Sequence, residues 1–315
     1  MKFQSLLVVC GLLLLFNVKP SSGNENELGA IKSGNAQVEK LAGGYKFLEG
    51  PLWHPDGFLL FSDTPANTIY KLSSDGKVEV FRRPAGYPNG NTLDREGRLV
   101  TAQHDRSVTR TEEDGKVVTL ATHYTQRKLN SPNDIVVKSD NSIYFTDPPF
   151  GIRKPYAVKE QPEELGFSGV YRLTEDGQLM LLVKDVKLPN GLAFSPDEKR
   201  LYINDSQEGN IRVFDVKTDG TLTNGRIFAD LNVPGKERLA DGMKVDSQGN
   251  VYSTGPEGIW IFSPQGKLLD KISVPEGTTN IAWGGRDYKT LYITTYTSLY
   301  QISLNNVAGV TSSKK

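Results

Sequence analysis

Along the chain, apolar and polar residues alternate over short runs that end in Asp-Gly, Gln-Gly or Asn-containing turns, the pattern of half-buried β-strands joined as hairpins. TIYKLSSDGKVEVF (68 to 81), GVYRLTEDGQLMLLV (169 to 183) and GIWIFSPQGKLLDKI (258 to 272) each read as one such strand pair. Helical periodicity is nearly absent beyond the N-terminus. Its nearest approach, AVKEQPEELGF (157 to 167), holds Pro162, which breaks a helix. That stretch is expected to be a long loop between two strands.

A second kind of hairpin recurs between these pairs. LNSPNDIVVKSDNSIYFTD (129 to 147), LPNGLAFSPDEKRLYINDS (188 to 206) and LADGMKVDSQGNVYSTG (239 to 255) share a turn, a polar residue beside Gly or Asp, an apolar strand, a second turn and a strand containing Tyr. FLEGPLWHPDGFLLFSDT (47 to 64), YPNGNTLDREGRLVTAQ (87 to 103) and TTNIAWGGRDYKTLYITT (278 to 295) are further copies. Aligned on the second strand, the polar position holds Glu49, Asn89, Asn133, Asn190, Asp241 and Asn280, about 40 to 57 residues apart. Six copies with four strands each predict an all-β fold, a six-bladed β-propeller of antiparallel strands spanning residues 45–304. The preceding segment 24–44 contains QVEKLA (37 to 42), expected to pair with the last blade and close the ring. The tail 305–315 is expected to be disordered.

The first strand of a propeller blade lines the central channel, so a position repeated at its start converges near the axis. Glu49, Asn133, Asn190 and Asp241 then form a set of oxygen donors without His or Cys, which suits a hard divalent cation with open positions for water or substrate. Any one Asn-Gly or Asp-Gly is an ordinary turn. Glu49, in Glu-Gly-Pro, has no such local reason.

Composition narrows the alternatives. The chain carries 37 basic and 37 acidic residues and no long run of one sign, which disfavours nucleic acid as a partner. The opening MKFQSLLVVCGLLLLFNVKPSSG has a basic start, an apolar run too short to span a bilayer and small residues after it, the layout of a signal peptide over 1–23. A secreted or periplasmic protein, free of the membrane after cleavage, is expected. The single cysteine, Cys10, lies in that run and would leave with it. Three histidines without H-E-x-x-H spacing argue against a zinc hydrolase, and no G-x-S-x-G element supports a serine hydrolase.

LEGPLW (48 to 53), NSPNDIVV (130 to 137), FTDPPFG (145 to 151), LPNGLAFSPD (188 to 197) and LADGMKVD (239 to 246) together resemble the regucalcin/gluconolactonase (senescence-marker-protein) family of six-bladed propeller lactonases. The resemblance implies that Glu49, Asn133, Asn190 and Asp241 hold one divalent cation, Ca²⁺ first, with Mg²⁺, Mn²⁺ or Zn²⁺ as alternatives. It also implies that Asp241 is the general base in the opening of a sugar lactone, with Asn133 and His104 facing the substrate. Asp134, Asp147 and Asp205 are expected to support the ligands from behind. Animal members place an arginine two residues before the metal-binding Asn, where it contacts the sugar; this chain has Ser131, and either the neighbouring Lys128 or a loop residue such as Arg153 compensates or the substrate differs. Residues 150–167 form the longest insertion, equally readable as a lid or a surface loop. A phosphotriesterase and a non-catalytic binding protein are the alternative functions. A small-molecule lactone is the expected partner, and the expected state is a monomer or weak dimer.

Overall fold

The computed structural model describes residues 36–236, 240–304 and 306–310. The signal-peptide reading lies outside the described residues. Six four-stranded antiparallel sheets follow one another in chain order, and no helix occurs among the described residues. Blade 1 runs through Leu48–His54, Phe58–Asp63, Thr68–Leu72 and Val78–Arg82, and blade 2 through Pro88–Leu93, Leu99–Gln103, Ser107–Thr111 and Val117–Ala121. Blade 3 starts with Ile135–Val137 and Ile143–Asp147 and, after the long loop, resumes at Gly169–Leu173 and Leu179–Val183. Blades 4 and 5 open with Pro189–Phe194 and Met243–Val245. Blade 6 takes Thr278–Gly284, Thr290–Thr295 and Ser298–Ser303 from the C-terminal side, and its outer strand is Glu39–Gly43, registered Glu39 to Gln301 and Gly43 to Ser298. Pairing the two ends of the chain in one sheet leaves the ring without an open seam.

The core lies between blades, where the alternating residues of adjacent sheets meet. Ile281, Leu291, Ile293 and Ile302 of blade 6 pack on Tyr252, Ile259 and Ile261 of blade 5, with the Tyr252 and Trp283 rings edge to face at 4.9 Å. Middle strands such as Leu99–Gln103 and Gly258–Phe262 are buried along their whole length because both faces meet a neighbouring blade.

Two expectations change. Residues 306–310, assigned to a disordered tail, pack: Val307 is buried in the blade 5/6 core, Gly309 bridges to Asp246, and a Cβ on Gly309 would lie 2.2 Å from the Trp283 side chain. A small residue there lets the chain lie flat on the indole. The other change is a short hairpin, His123–Tyr124 with Arg127–Lys128, turning at Thr125 and Gln126 with φ of 47° and 68°. Neither residue type announces a left-handed turn.

Candidate active site

Bulges explain why the repeated polar position points inward. In blades 1, 2, 4 and 6 the first strand slips register within one or two residues of it, between Glu49 and Leu52, Pro88 and Asn91, Pro189 and Leu192, and Thr278 and Asn280. In blades 3 and 5 the strand begins only after it, at Ile135 and Met243. A bulge frees one residue from strict alternation and re-aims its side chain.

Adjacent blades then lock together through the backbone beside these residues. The Gly90 N–H donates to the Asn133 carbonyl at 2.7 Å, that of Gly191 to Asp241 at 2.9 Å and that of Gly242 to Thr279 at 2.7 Å. The contacts leave no room for a side chain: a Cβ on Gly191 would sit 2.3 Å from the Asp241 carbonyl oxygen, and one on Gly242 2.1 Å from Asn280 Oδ1. The Gly of each Asn-Gly or Asp-Gly pair is therefore a packing requirement as well as a turn signal.

The same hydrogen bonds correct the alignment of the last copy. Thr279, not Asn280, is the blade 6 counterpart of Asn133 and Asp241. Asn280 is the counterpart of Asp134: each takes a threonine hydroxyl, Thr294 or Thr146, onto its own N–H at 3.1 Å, and each turns its side-chain Oδ1 back to the next residue's N–H at 2.9 Å.

Glu49, Asn89, His104, Asn133, Asn190 and Asp241 all line one cavity of about 650 Å³ at the channel mouth. Asn133 and Asn190 are oriented by their nitrogens. Asn190 Nδ2 donates to Ser206 Oγ at 3.0 Å, and Ser206 in turn donates to the Ala240 carbonyl at 2.6 Å. Asn133 Nδ2 lies 3.4 Å from His104 Nε2, whose lone pair can accept because burial depresses the imidazole pKa to about 4 and keeps the ring neutral. Asn89 Oδ1, Asn133 Oδ1, Asn190 Oδ1 and Asp241 Oδ1 are left buried with no hydrogen-bond partner.

The carboxylates are crowded. Glu49, 2% exposed, accepts the Gly50 N–H at 3.0 Å and Asn280 Nδ2 at 3.1 Å, both on Oε2. Burial and then the charge of Asp134 push its pKa up to about 7. Asp241 is driven well above the usual carboxylate range by burial first and then by Glu49 and Asp134. Lys244 pairs with this group from 4.0 Å, Nζ to Asp134 Oδ2. Asp134, whose Oδ2 is buried with no hydrogen-bond partner, is a third carboxylate behind the set. Among the described residues no cluster of three or more His, Cys, Asp or Glu is arranged to hold a metal. The donor set here is two carboxylates and two amides, and its unpartnered oxygens together with the uncompensated negative charge fit a hard cation.

Asp147 and Asp205 work at one remove. Asp147 Oδ2 accepts the Asn130 N–H at 2.8 Å, and Asp205 accepts those of Lys187 and Leu188 at 2.8 and 3.2 Å, so each ties down the loop leading to Asn133 or Asn190. Asp63 does the same for Lys46 and Phe47 ahead of Glu49, a third instance the sequence reading left out. Ser206 was also missed, although as the residue after Asp205 it could have been found from the repeat.

Ser131 does not face the cavity. Its hydroxyl donates to the Pro148 carbonyl and accepts the Gly151 N–H, fastening the base of the long loop. Neither proposed substitute lines the cavity: Lys128 is exposed on the short hairpin, and Arg153 is paired with Glu163 at 2.5 Å. The loop itself overhangs the mouth only in part, through Phe150 and Pro155 to Val158.

Residues 47–297 match the family model described as the SMP-30/Gluconolactonase/LRE-like region. A gluconolactonase from Zymomonas mobilis is 32% identical over 84% of this chain and 81% of its own. The pentonolactonase XacC from Haloferax volcanii is 27% identical over 78% and 80%. The solved structure of a gluconolactonase from Xanthomonas campestris superposes with a TM-score of 0.81 at 36% identity, covering 88% of this chain and 92% of that one. These relatives support a lactonase activity and give none to the phosphotriesterase reading. With about four-fifths of the 315-residue chain inside the matched region and the repeat geometry above, the protein belongs to the SMP-30/gluconolactonase/LRE-like family.

Proposed function

We propose that the protein hydrolyses a sugar lactone of the gluconolactone class with the help of one divalent cation held by Glu49, Asn133, Asn190 and Asp241, Ca²⁺ being the first candidate. The observation that carries this reading is the pair of amides whose nitrogens are tied to the wall while their oxygens, with Asp241 Oδ1, are buried without a protein partner. Such a cation, when bound, supplies Lewis acidity toward the lactone carbonyl.

The chain's own residues do the rest. The Asp241 carboxylate takes a proton from a water as that water adds to the carbonyl carbon, and returns it to the ring oxygen when the ring C–O bond breaks, giving the hydroxy acid. His104, neutral and buried, holds the Asn133 amide with its oxygen toward the cavity; Ser206 holds Asn190 in the same way. Glu49 is kept in place by Gly50 and Asn280. The N-terminal signal-peptide pattern supports action after export.

The test is hydrolysis of glucono-1,5-lactone and a pentonolactone, followed by pH-stat with Ca²⁺, Mg²⁺, Mn²⁺ and Zn²⁺ in turn, alongside a phosphotriester. Cation-dependent lactone opening that falls roughly 10³-fold or more in Asp241→Ala is expected. Near-normal turnover by that variant, or hydrolysis of the phosphotriester alone, would sink the proposal.

A further inference from the structure

The floor and the upper wall of the cavity have opposite chemistry. Lys46, Glu49 and Asp241 are the charged side chains of its lining, and the two carboxylates belong to the floor. The upper wall is a run of rings from three parts of the chain: Phe150 and Tyr156 of the blade 3 loop, Phe47 ahead of blade 1, and Tyr296 of blade 6. Phe150 meets Tyr156 nearly perpendicular at 5.9 Å, Tyr156 lies 6.3 Å from Phe47, and Phe47 stacks on Tyr296 at 5.6 Å. Tyr156 is 53% exposed, a large ring held at the opening rather than in a core.

The loop that presents Tyr156 is fastened at both ends. Besides the Ser131 contacts, Gly151 packs so closely on His104 that a Cβ would lie 2.6 Å from the histidine Cβ, and its carbonyl accepts the Val158 N–H at 3.0 Å. On the other side the buried Arg106 guanidinium donates to the Leu129 carbonyl at 2.6 Å and to Gln161 Oε1 and the Pro162 carbonyl at 3.4 Å, and pairs with Glu164 at 3.5 Å. The aromatic wall is therefore in place before any ligand arrives, which lowers the ordering cost of binding against it.

Size completes the picture. A cavity of about 650 Å³ is in the range that encloses drug-sized ligands and several times the volume of one sugar-lactone ring. A polyol ring on the oxygen donors of the floor would leave the wall uncovered. We propose that the preferred substrate is a lactone bearing an apolar arm, an alkyl chain or aryl ring, with the lactone group on the floor and the arm against Phe47, Phe150, Tyr156 and Tyr296. This rests on the lactonase reading of the same site and moves the preferred substrate from an unsubstituted sugar lactone to an arm-bearing one.

Each methylene of the arm laid on the wall raises kcat/KM by roughly threefold, mainly through KM. The cation-supplemented enzyme is to be assayed on γ-lactones with methyl, propyl and pentyl arms, with glucono-1,5-lactone in parallel. The expected result is a rise of at least tenfold from methyl to pentyl. Tyr156→Ala should flatten that rise and Tyr156→Phe should restore it, a pattern that loss of folding would not produce. A flat or falling series with glucono-1,5-lactone still opened overturns the inference and leaves the lactonase reading standing. No turnover of any lactone with any cation overturns both. A rise that persists unchanged in Tyr156→Ala overturns the assignment of the wall.

Discussion

Blades 4 and 6 place a polar side chain at the same point of the fold and use it in opposite ways. In blade 6 the Thr279 hydroxyl donates to the Leu48 carbonyl at 2.6 Å and lies 2.9 Å from Thr294 Oγ1, joining the last blade to the first. In blade 4 the Asn190 nitrogen is engaged by Ser206, and its oxygen is buried with nothing to accept. A satisfied polar group at the channel holds the ring together; an unsatisfied one weakens the cation-free protein and is retained for what it binds. An oxygen still on offer thus separates Asn133, Asn190 and Asp241 from Thr279; Asn89 Oδ1 is unpartnered in the same cavity, and Glu49 joins the set through its buried carboxylate.

Swapping each residue for an apolar one of similar size separates the two uses. Asn190→Leu should cost about 100-fold or more in kcat/KM, while the melting temperature of the cation-free protein stays level or rises because a buried unsatisfied oxygen is gone. Thr279→Val should do the reverse: turnover within a few-fold of wild type, and a stability loss of about 1–2 kcal/mol in urea unfolding, since the Leu48 carbonyl loses its donor. Equal losses of activity in both variants would erase the distinction. A smaller effect is expected one contact further out. Ser206→Ala frees the Asn190 amide to rotate and should weaken cation affinity roughly tenfold by titration, with little change in kcat at saturating cation; an unchanged affinity would mean that Asn190 is held by other contacts.

The smallest effect comes from a carboxyl that supports the site through the backbone. Burial pushes Asp147 up to about 7, against hydrogen bonds from Asn130 and Ser131 and the charge of Arg106 that pull it down. Its folded pKa is above its unfolded one, so its contribution to stability is complete below about pH 4 and is lost as pH rises through about 7. Thermal unfolding in chelator should show a lower midpoint at pH 8 than at pH 5, and Asp147→Asn, which keeps an oxygen for the Asn130 N–H, should narrow that gap. Glu49, raised in the same direction, keeps part of it in the variant. A gap that widens on substitution would contradict the assignment.

What could be read from the sequence follows from how locally each feature is encoded. The hairpins rest on alternation and on Asp-Gly turns, both local, and the six-fold repeat of a polar residue at a strand start was enough to gather Glu49, Asn133, Asn190 and Asp241 around one cavity. The register of the sixth copy was misread because Thr279 stands where the other copies carry Glu, Asn or Asp, and the amide of Asn280 one residue on took its place in the alignment. The orientation of the amides was legible only in part: His104 and Ser206 each directly follow the second strand of their blade, a place the repeat marks, but no residue type announces their contacts to Asn133 and Asn190. The same holds for Ser131. The sequence shows a hydroxyl where animal relatives carry a guanidinium; only the packing of Gly151 shows that the hydroxyl belongs to the loop and not to the substrate.

The central claim is that four side chains from blades 1, 3, 4 and 5 hold a single hard cation. Its most direct test is equilibrium titration of chelator-treated protein with Ca²⁺ and with Mn²⁺, read by calorimetry, on wild type, Asp241→Ala and Thr279→Val. One equivalent bound by wild type and Thr279→Val, with binding abolished or weakened at least 100-fold in Asp241→Ala, is the predicted result. An unaltered isotherm in Asp241→Ala, or no binding of either cation to wild type, would contradict it.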